Sequence, residues 1–367
     1  MDLDFFHRIL SVDSTSGKEA ELADVLAVEL SAPGRRTDVY EVGDGTRNLF
    51  VSWGEPKVVF CTHLDTVPPY LPPVFSESKA TGNGASASGR GTCDAKGQIF
   101  AMYEACKVLE SRGYTDFGML LLAGEETGSF GAKAFSAMAA ETGKTWDWVI
   151  VGEPTDNCMA SAAKGTKSFE VTFTGQACHS GYPQHGQSAI MYFNDFVNAL
   201  RSIVFPYDPI LGETTWNIGK LVSDNPQNIL SDALSCRVYF RTTFESDEMV
   251  CNIMKNIAGP EAKLRFGRPK VQDGSDFVTK EVAPWQRAMS VKAFGGDTPS
   301  RFEVLPGFES KPVAFGSDAP QLTCFGHKIL CGPGTILVAH RAEEFVDLQD
   351  IQKATDQYVA MYEAINR

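Results

Sequence analysis

Nowhere in the sequence does an apolar run approach the ~20 residues needed to cross a bilayer, so no membrane partner is expected. Cysteine occurs nine times but never as Cys-x-x-Cys. An odd, scattered set of this kind points to reduced thiols packed as small apolar residues, and hence to a cytoplasmic chain. Basic residues are in deficit, 33 Lys and Arg against 46 Asp and Glu for a net charge of −13, which argues against a nucleic-acid or anionic-membrane surface. Part of that acidic excess is expected anyway if several carboxylates surround divalent cations. The first eight residues hold no basic segment followed by a long apolar one, so a secretory signal is not expected. Internal repeats and low-complexity tracts are absent. What remains is a 367-residue globular chain, 43% hydrophobic and long enough for two domains with separate cores.

Against this background the run Leu120-Leu-Leu-Ala-Gly-Glu-Glu-Thr-Gly-Ser129 stands out. An apolar run that ends in Glu125 and Glu126 delivers two like charges to the edge of a core, where repulsion and desolvation are costly. A metal pair would offset that cost, since His63, Asp94, Glu153 and His340 also have the character of metal ligands. One glutamate can then bind metal while its neighbour handles protons, as metal-assisted hydrolysis requires.

The first third of the chain alternates helical and strand patterns. Residues 18–30 carry Leu22, Val25, Leu26 and Leu30 at helical spacing. Short β-like runs occupy 48–53, 58–62, 118–123 and 148–151, and a helix is expected over 95–112. This alternation predicts an α/β fold, a helix-flanked, mainly parallel sheet, with ligands gathered beyond the carboxyl ends of its strands. From about residue 164 the texture becomes α+β, with alternating strands at 168–174 and 233–243 around a helix at 188–204. After about 270 the α/β texture returns and closes in a helix starting near Asp347. The expected organisation is a catalytic domain of residues 1–163 and 271–367 interrupted by a smaller lid at 164–270. Residues 76–91, rich in Gly, Ser and Ala, read as a loop.

Each chemical residue has a plain reading beside the functional one. His63 follows a strand-like run, and Asp65 two residues on is suitably placed to orient its ring, although His-x-Asp triplets are mostly ordinary turn residues. Asp94 opens a helix, where aspartate is a favoured N-cap, but a carboxylate there can also bridge two cations. Glu153 in Gly152-Glu-Pro154 ends another apolar run, as a polar strand terminus also would. His340 gains interest because the ligand set is one imidazole short without it.

Taken in order, His63-Leu-Asp65, Gly91-Thr-Cys-Asp94-Ala-Lys-Gly97, Gly124-Glu-Glu-Thr-Gly128, Gly152-Glu-Pro154, Ala177-Cys-His-Ser180 and Ala339-His340 resemble the di-zinc amidohydrolase family of acetylornithine deacetylase, succinyl-diaminopimelate desuccinylase and carboxypeptidase G. The resemblance spans nearly the whole chain, the inserted lid included. It implies two zinc ions, with cobalt or manganese as alternatives. Asp94 would bridge them, His63 and Glu153 would complete one site, and Glu126 and His340 the other. Glu125 would be the general base, Asp65 would orient His63, and the Asp94–Ala95 peptide would be cis. In the lid, His179 would stabilise the oxyanion, reaching a partner subunit in dimeric relatives. Asn228 and Arg241 would grip a substrate carboxylate, though a surface salt bridge suits Arg241 nearly as well, and Gly316 and Ser317 would contact substrate. Cys178 departs from the small residue usual before that histidine. His7, His185 and His327 match no catalytic position.

The activity implied is removal of an acetyl or succinyl group from an amino acid in amino-acid biosynthesis, by a cytoplasmic homodimer formed through the lid. A dipeptidase or carboxypeptidase of the same family is the alternative, and the substrate is then a dipeptide. Two readings lie further off. A catalytically silent amino-acid-binding relative would lack Glu125 or a ligand, and all are present. An aminopeptidase on the same kind of sheet would generally lack the insert.

Overall fold

A computed structural model describes residues 1–43, 45–77, 84–266 and 281–367. The chain divides into two compact units, one comprising Met1–Ser161, Arg301–Val313 and Ser317–Arg367, the other Ala162–Ser300 and Ala314–Gly316.

The first unit is built on a six-stranded sheet. Its spatial order is Arg35–Gly43, Thr46–Trp53, Phe117–Leu122, Val58–His63, Trp146–Val151 and Phe325–Leu330. The last four are mutually parallel and the first two antiparallel, which gives the mainly parallel sheet expected. Every residue of Val58–His63 and Phe117–Leu122 is buried. Strands apolar on both faces require helices on both faces. On one face Lys96–Ser111 and Leu348–Ile365 pack with the N-terminal helix Leu3–Leu10, bringing Phe6 to 4.5 Å from Phe100 and Phe60 to 5.8 Å from Tyr358, ring centre to ring centre. On the other face Phe130–Thr142 inserts Phe135 between Phe50, at 5.8 Å, and Trp146, at 5.2 Å. Asp347 stands at the N-cap of the closing helix, as its sequence suggests.

Residues 76–91 are not simply a loop. Val74–Glu77 and Ala85–Ser88 pair antiparallel, and Phe345–Asp347 joins the second of these as a third strand. Residues 78–83 between them lie outside the described residues. The small side chains that suggested a loop fit here because Ala87 and Ser86 are fully buried against neighbouring elements.

The second unit carries a four-stranded antiparallel sheet in the order Thr215–Val222, Ala233–Thr242, Gly165–Thr174 and Met289–Ala293. Alternate residues of Ala233–Thr242 are buried, and helices Ala189–Ser202 and Asp247–Asn256 cover that face, Phe196 lying 5.7 Å from Phe173. The predicted boundary at 270/271 falls outside the described residues. Beyond it the expectation needs correcting: residues 281–300 belong to this unit, because Met289–Ala293 pairs with Gly165–Thr174, setting Val291 opposite Val171. A five-residue edge strand recruited from over a hundred residues away leaves no local trace in sequence.

Candidate metal centre

The carboxyl ends of the parallel strands in the first unit carry the chemistry. His63 is the last residue of its strand and Glu153 follows Val151 by two. These ends are locked side by side: the Gly152 N–H donates to the Cys61 carbonyl at 2.7 Å and the Thr62 hydroxyl to the Gly152 carbonyl at 2.9 Å. Gly152 is needed there, since a Cβ would meet Met102 Cε at 2.7 Å and Gln98 Cβ at 3.0 Å. Glu125 and Glu126 turn away from the end of Phe117–Leu122 through Gly124, whose φ of +70° favours glycine.

Asp94 joins the two histidines. His63 Nε2 lies 3.0 Å from Asp94 Oδ1, and His340 Nε2 lies 3.2 Å from Asp94 Oδ2 and 2.9 Å from Glu126 Oε1. Two groups result, His63 with Asp94 and Glu153, and Asp94 with Glu126 and His340, each with one ligand atom per residue and all such atoms within 4.8 Å of one another. The N-cap reading of Asp94 gives way, because the cap residue is Ala95 and the Asp94 carboxylate faces the imidazoles instead. The Asp94–Ala95 peptide is cis.

Asp65 holds His63 through its main chain rather than through its side chain. Its main-chain carbonyl accepts from His63 Nδ1 at 2.9 Å, which fixes the ring with Nε2 facing Asp94. The carboxylate, whose Oδ1 is 3.6 Å from His63 Nδ1, is spent elsewhere: it accepts from the Glu125 N–H at 3.0 Å, the Glu126 N–H at 3.2 Å and the Ser16 hydroxyl at 2.9 Å. Ser16, unremarked in the sequence, thus supports the turn that carries the glutamate pair.

The electrostatics are those of crowded acid in a dry place. Burial pushes the Glu125 and Glu153 carboxyls well above the ordinary carboxylate range; the His63 charge opposes this, and the negative charges of Asp94 and Asp318 add to it. Burial also acts to raise Asp94, but its bonds to His340 and His63 outweigh that and hold it low. Bonds to Asp94 and Glu126 lift His340 to about 10 against the effect of burial. The buried Asp318 follows Ser317, whose Oγ accepts from the Ala319 N–H at 3.3 Å.

This donor set fits a pair of divalent cations. Three carboxylates, Asp94, Glu126 and Glu153, converge with two imidazoles, a borderline and hard ligand mix that zinc accepts. Nitrogen and oxygen atoms about 3 Å apart are spaced as ligands on a tetrahedral ion with bonds near 2 Å would be.

The lid candidates sit in the second unit. Gly181 N–H donates to His179 Nδ1 at 3.0 Å, which leaves the other ring nitrogen to carry the proton. The Asn228 carbonyl accepts from Ser180 N–H at 2.9 Å, so Asn228 lies against the His179 segment. Arg241 approaches Gly316, where a Cβ would lie 4.0 Å from its Nη1. His7, His185 and His327 take no part in either ligand group, and His327 stacks on Trp148 at 4.3 Å.

Known proteins resemble this chain over nearly its whole length. A probable carboxypeptidase of Aspergillus flavus is 30% identical over 389 residues, covering 98% of this chain and 86% of its own length. One from Aspergillus niger is 29% identical over 390 residues, covering 98% and 88%. A Staphylococcus aureus tripeptidase shares the fold at a TM-score of 0.74 and 18% identity, over 97% of this chain and 95% of its own. So does an M20 family metallo-carboxypeptidase of Sulfolobus solfataricus, at 0.70 and 15%, over 98% of each. No described helix is long and apolar enough to cross a membrane. Residues 59–364, from the strand that ends in His63 to the last helix, match the model of peptidase family M20/M25/M40, and the chain belongs to that family.

Proposed function

We propose that this chain is a metal-dependent peptidase of carboxypeptidase or dipeptidase type, hydrolysing a linear amide in a short peptide that ends in a free carboxylate. The observation that carries this reading is Asp94, with one oxygen on His63 and the other on His340, beside the Glu125–Glu126 turn. The relatives described as probable carboxypeptidases support the peptide substrate. Removal of acetyl or succinyl from an amino acid is the second reading, favoured by the motif set from His63 to His340.

In this proposal Asp94 is the shared ligand, His63 and Glu153 complete one cation site, and Glu126 and His340 the other. Two divalent cations, zinc or else cobalt or manganese, supply when bound the Lewis acidity that acidifies water and polarises the scissile carbonyl. Glu125 takes a proton from the attacking water at a carboxylate oxygen and hands it to the departing amine nitrogen as the C–N bond breaks. Asp65 holds the main chain of that glutamate in place. His179, protonated on its free nitrogen, donates to the oxyanion, and Arg241 and Asn228 grip the terminal carboxylate beside Gly316 and Ser317. Assembly as a homodimer through the second unit belongs to the same proposal, with His179 serving the partner's site.

The test is amine release by the zinc-loaded chain from dipeptides, their C-terminal amides, and N-acetyl and N-succinyl amino acids. Turnover of free-carboxylate peptides, lost on amidation, is expected, with Glu125→Gln slowing kcat about 10²–10⁴-fold while cations still bind. Turnover confined to N-acyl amino acids would select the second reading. Bound cations without Glu125-dependent turnover of any substrate would sink both.

A further inference from the structure

Behind the ligand groups lies a buried ion pair that neither the motifs nor the proposed chemistry employs. Arg90 is 2% exposed and Glu344 fully buried, and their side chains bond through Arg90 Nη1 and Glu344 Oε2. Charges taken this far from water are costly unless every lone pair and proton finds a partner. Arg90 Nε and Nη1 and both Glu344 carboxylate oxygens have partners, and the partners are informative. Glu344 Oε1 accepts from the Cys93 N–H at 3.0 Å and from the Asp94 N–H at 3.1 Å, so it grips the main chain of the shared ligand. Arg90 Nη1 donates also to the Arg341 carbonyl at 3.3 Å, one residue beyond His340, and its Nε to the Pro69 carbonyl at 3.3 Å. Gly89 N–H closes the arrangement on the Glu344 carbonyl at 3.1 Å.

The two ends of this strap differ in how much they need it. His63 is held by its strand and by the Asp65 carbonyl. His340 is on a loop, its side chain 50% exposed and its backbone at φ +65°, a conformation that non-glycine residues seldom adopt. Its distance from Asp94 therefore depends on whatever ties residues 340–344 to residues 89–94. Apolar side chains could fill the same space, but they would leave the Cys93 and Asp94 N–H groups unbonded.

We infer that Arg90 and Glu344 form a positioning pair that sets the separation of Asp94 and His340 and thereby the cation affinity of the Asp94–Glu126–His340 group. This rests on reading the two groups as cation sites. Neither residue touches substrate or cation; both act through Asp94 and the His340 loop.

Calorimetric titration of the cation-free chain with zinc tests it without reference to turnover. The wild-type chain is expected to bind in two steps, one of which His340→Ala removes. Glu344→Gln leaves Arg90 buried without its counter-charge and can destabilise the fold. The double variant Arg90→Met/Glu344→Gln removes both charges and keeps an oxygen for the two N–H groups, and thermal unfolding checks that it folds. In that variant the step lost in His340→Ala should weaken about 10–100-fold, the usual effect of losing a group that orients a ligand. The other step should stay within about twofold. A folded double variant that binds both cations as wild type does, or loses affinity equally in both steps, overturns the inference and leaves the proposed function standing. A wild-type chain without two binding steps overturns both.

Discussion

The two ligand groups share Asp94 yet are made differently. The His63–Asp94–Glu153 group grows out of the sheet: His63 is 1% and Glu153 4% exposed, and adjacent parallel strands are bonded across their ends. The Asp94–Glu126–His340 group grows out of turns, with His340 half-exposed and Glu126 held by the grip of Asp65 on its N–H. Regular structure places a side chain because every backbone group in it is already paired. A loop residue is placed only by its tertiary contacts. The sheet-borne half of the centre is accordingly rigid by construction, and the loop-borne half is as good as its supports.

Breaking the shared member should have the largest effect. Asp94→Asn removes the anion common to both groups, and both zinc steps should weaken by more than about 100-fold, beyond what loss of a supporting residue does. Calorimetric titration reads this directly; retention of either step would show that the groups do not share the ligand.

Removing one histidine at a time sharpens the contrast. In the cation-free chain His63→Ala strips Asp94 of a bonded partner and leaves the Asp65 carbonyl unpaired in a buried place. It should cost about 1–3 kcal/mol in urea unfolding. The ion pairs of His340 are half in water, so His340→Ala should cost about 1 kcal/mol or less. Equal losses would contradict the division into a sheet-borne and a loop-borne half.

The smallest effect is one of pH. Bonds to Asp94 and Glu126 keep the His340 proton up to about pH 10, and a cation must displace it. Zinc affinity at that group should rise between pH 7 and 9, with about one proton released as the imidazole binds. The sign for stability is opposite. A raised folded value means that the proton stabilises the cation-free chain fully below the free-imidazole value of about 6.5, and that this contribution fades as pH rises through about 10. Titration in buffers of different ionisation enthalpy counts the protons.

Much of this centre is legible along the chain because its members sit where patterns break. Apolar runs ending at His63, Glu125 and Glu153 are strands whose carboxyl ends face one way, and helical spacing locates Lys96–Ser111 behind Asp94. The plain readings fail where a neighbour distant in sequence takes over. Asp94 is no cap because His63 and His340 claim its oxygens, and the Asp65 carboxylate turns from its near neighbour His63 to the glutamate turn sixty residues on. Met289–Ala293 reads as part of the returning α/β segment until its pairing with Gly165–Thr174 is seen. Arg90 and Glu344 carry no signal at all in isolation, since a lone Arg and a lone Glu are usually surface residues.

Sequence alone determined the residue types, the strands and helices that end at them, and the family to which they belong, because hydrophobic period and chain breakers act over a few residues. Tertiary structure decided which oxygen of Asp94 meets which histidine, what the Asp65 carboxylate holds, and how a buried Arg90–Glu344 pair ties Asp94 to the His340 loop. Those contacts join residues 31, 60 and 250 positions apart, and at such separations only the packing of the whole unit selects the partner.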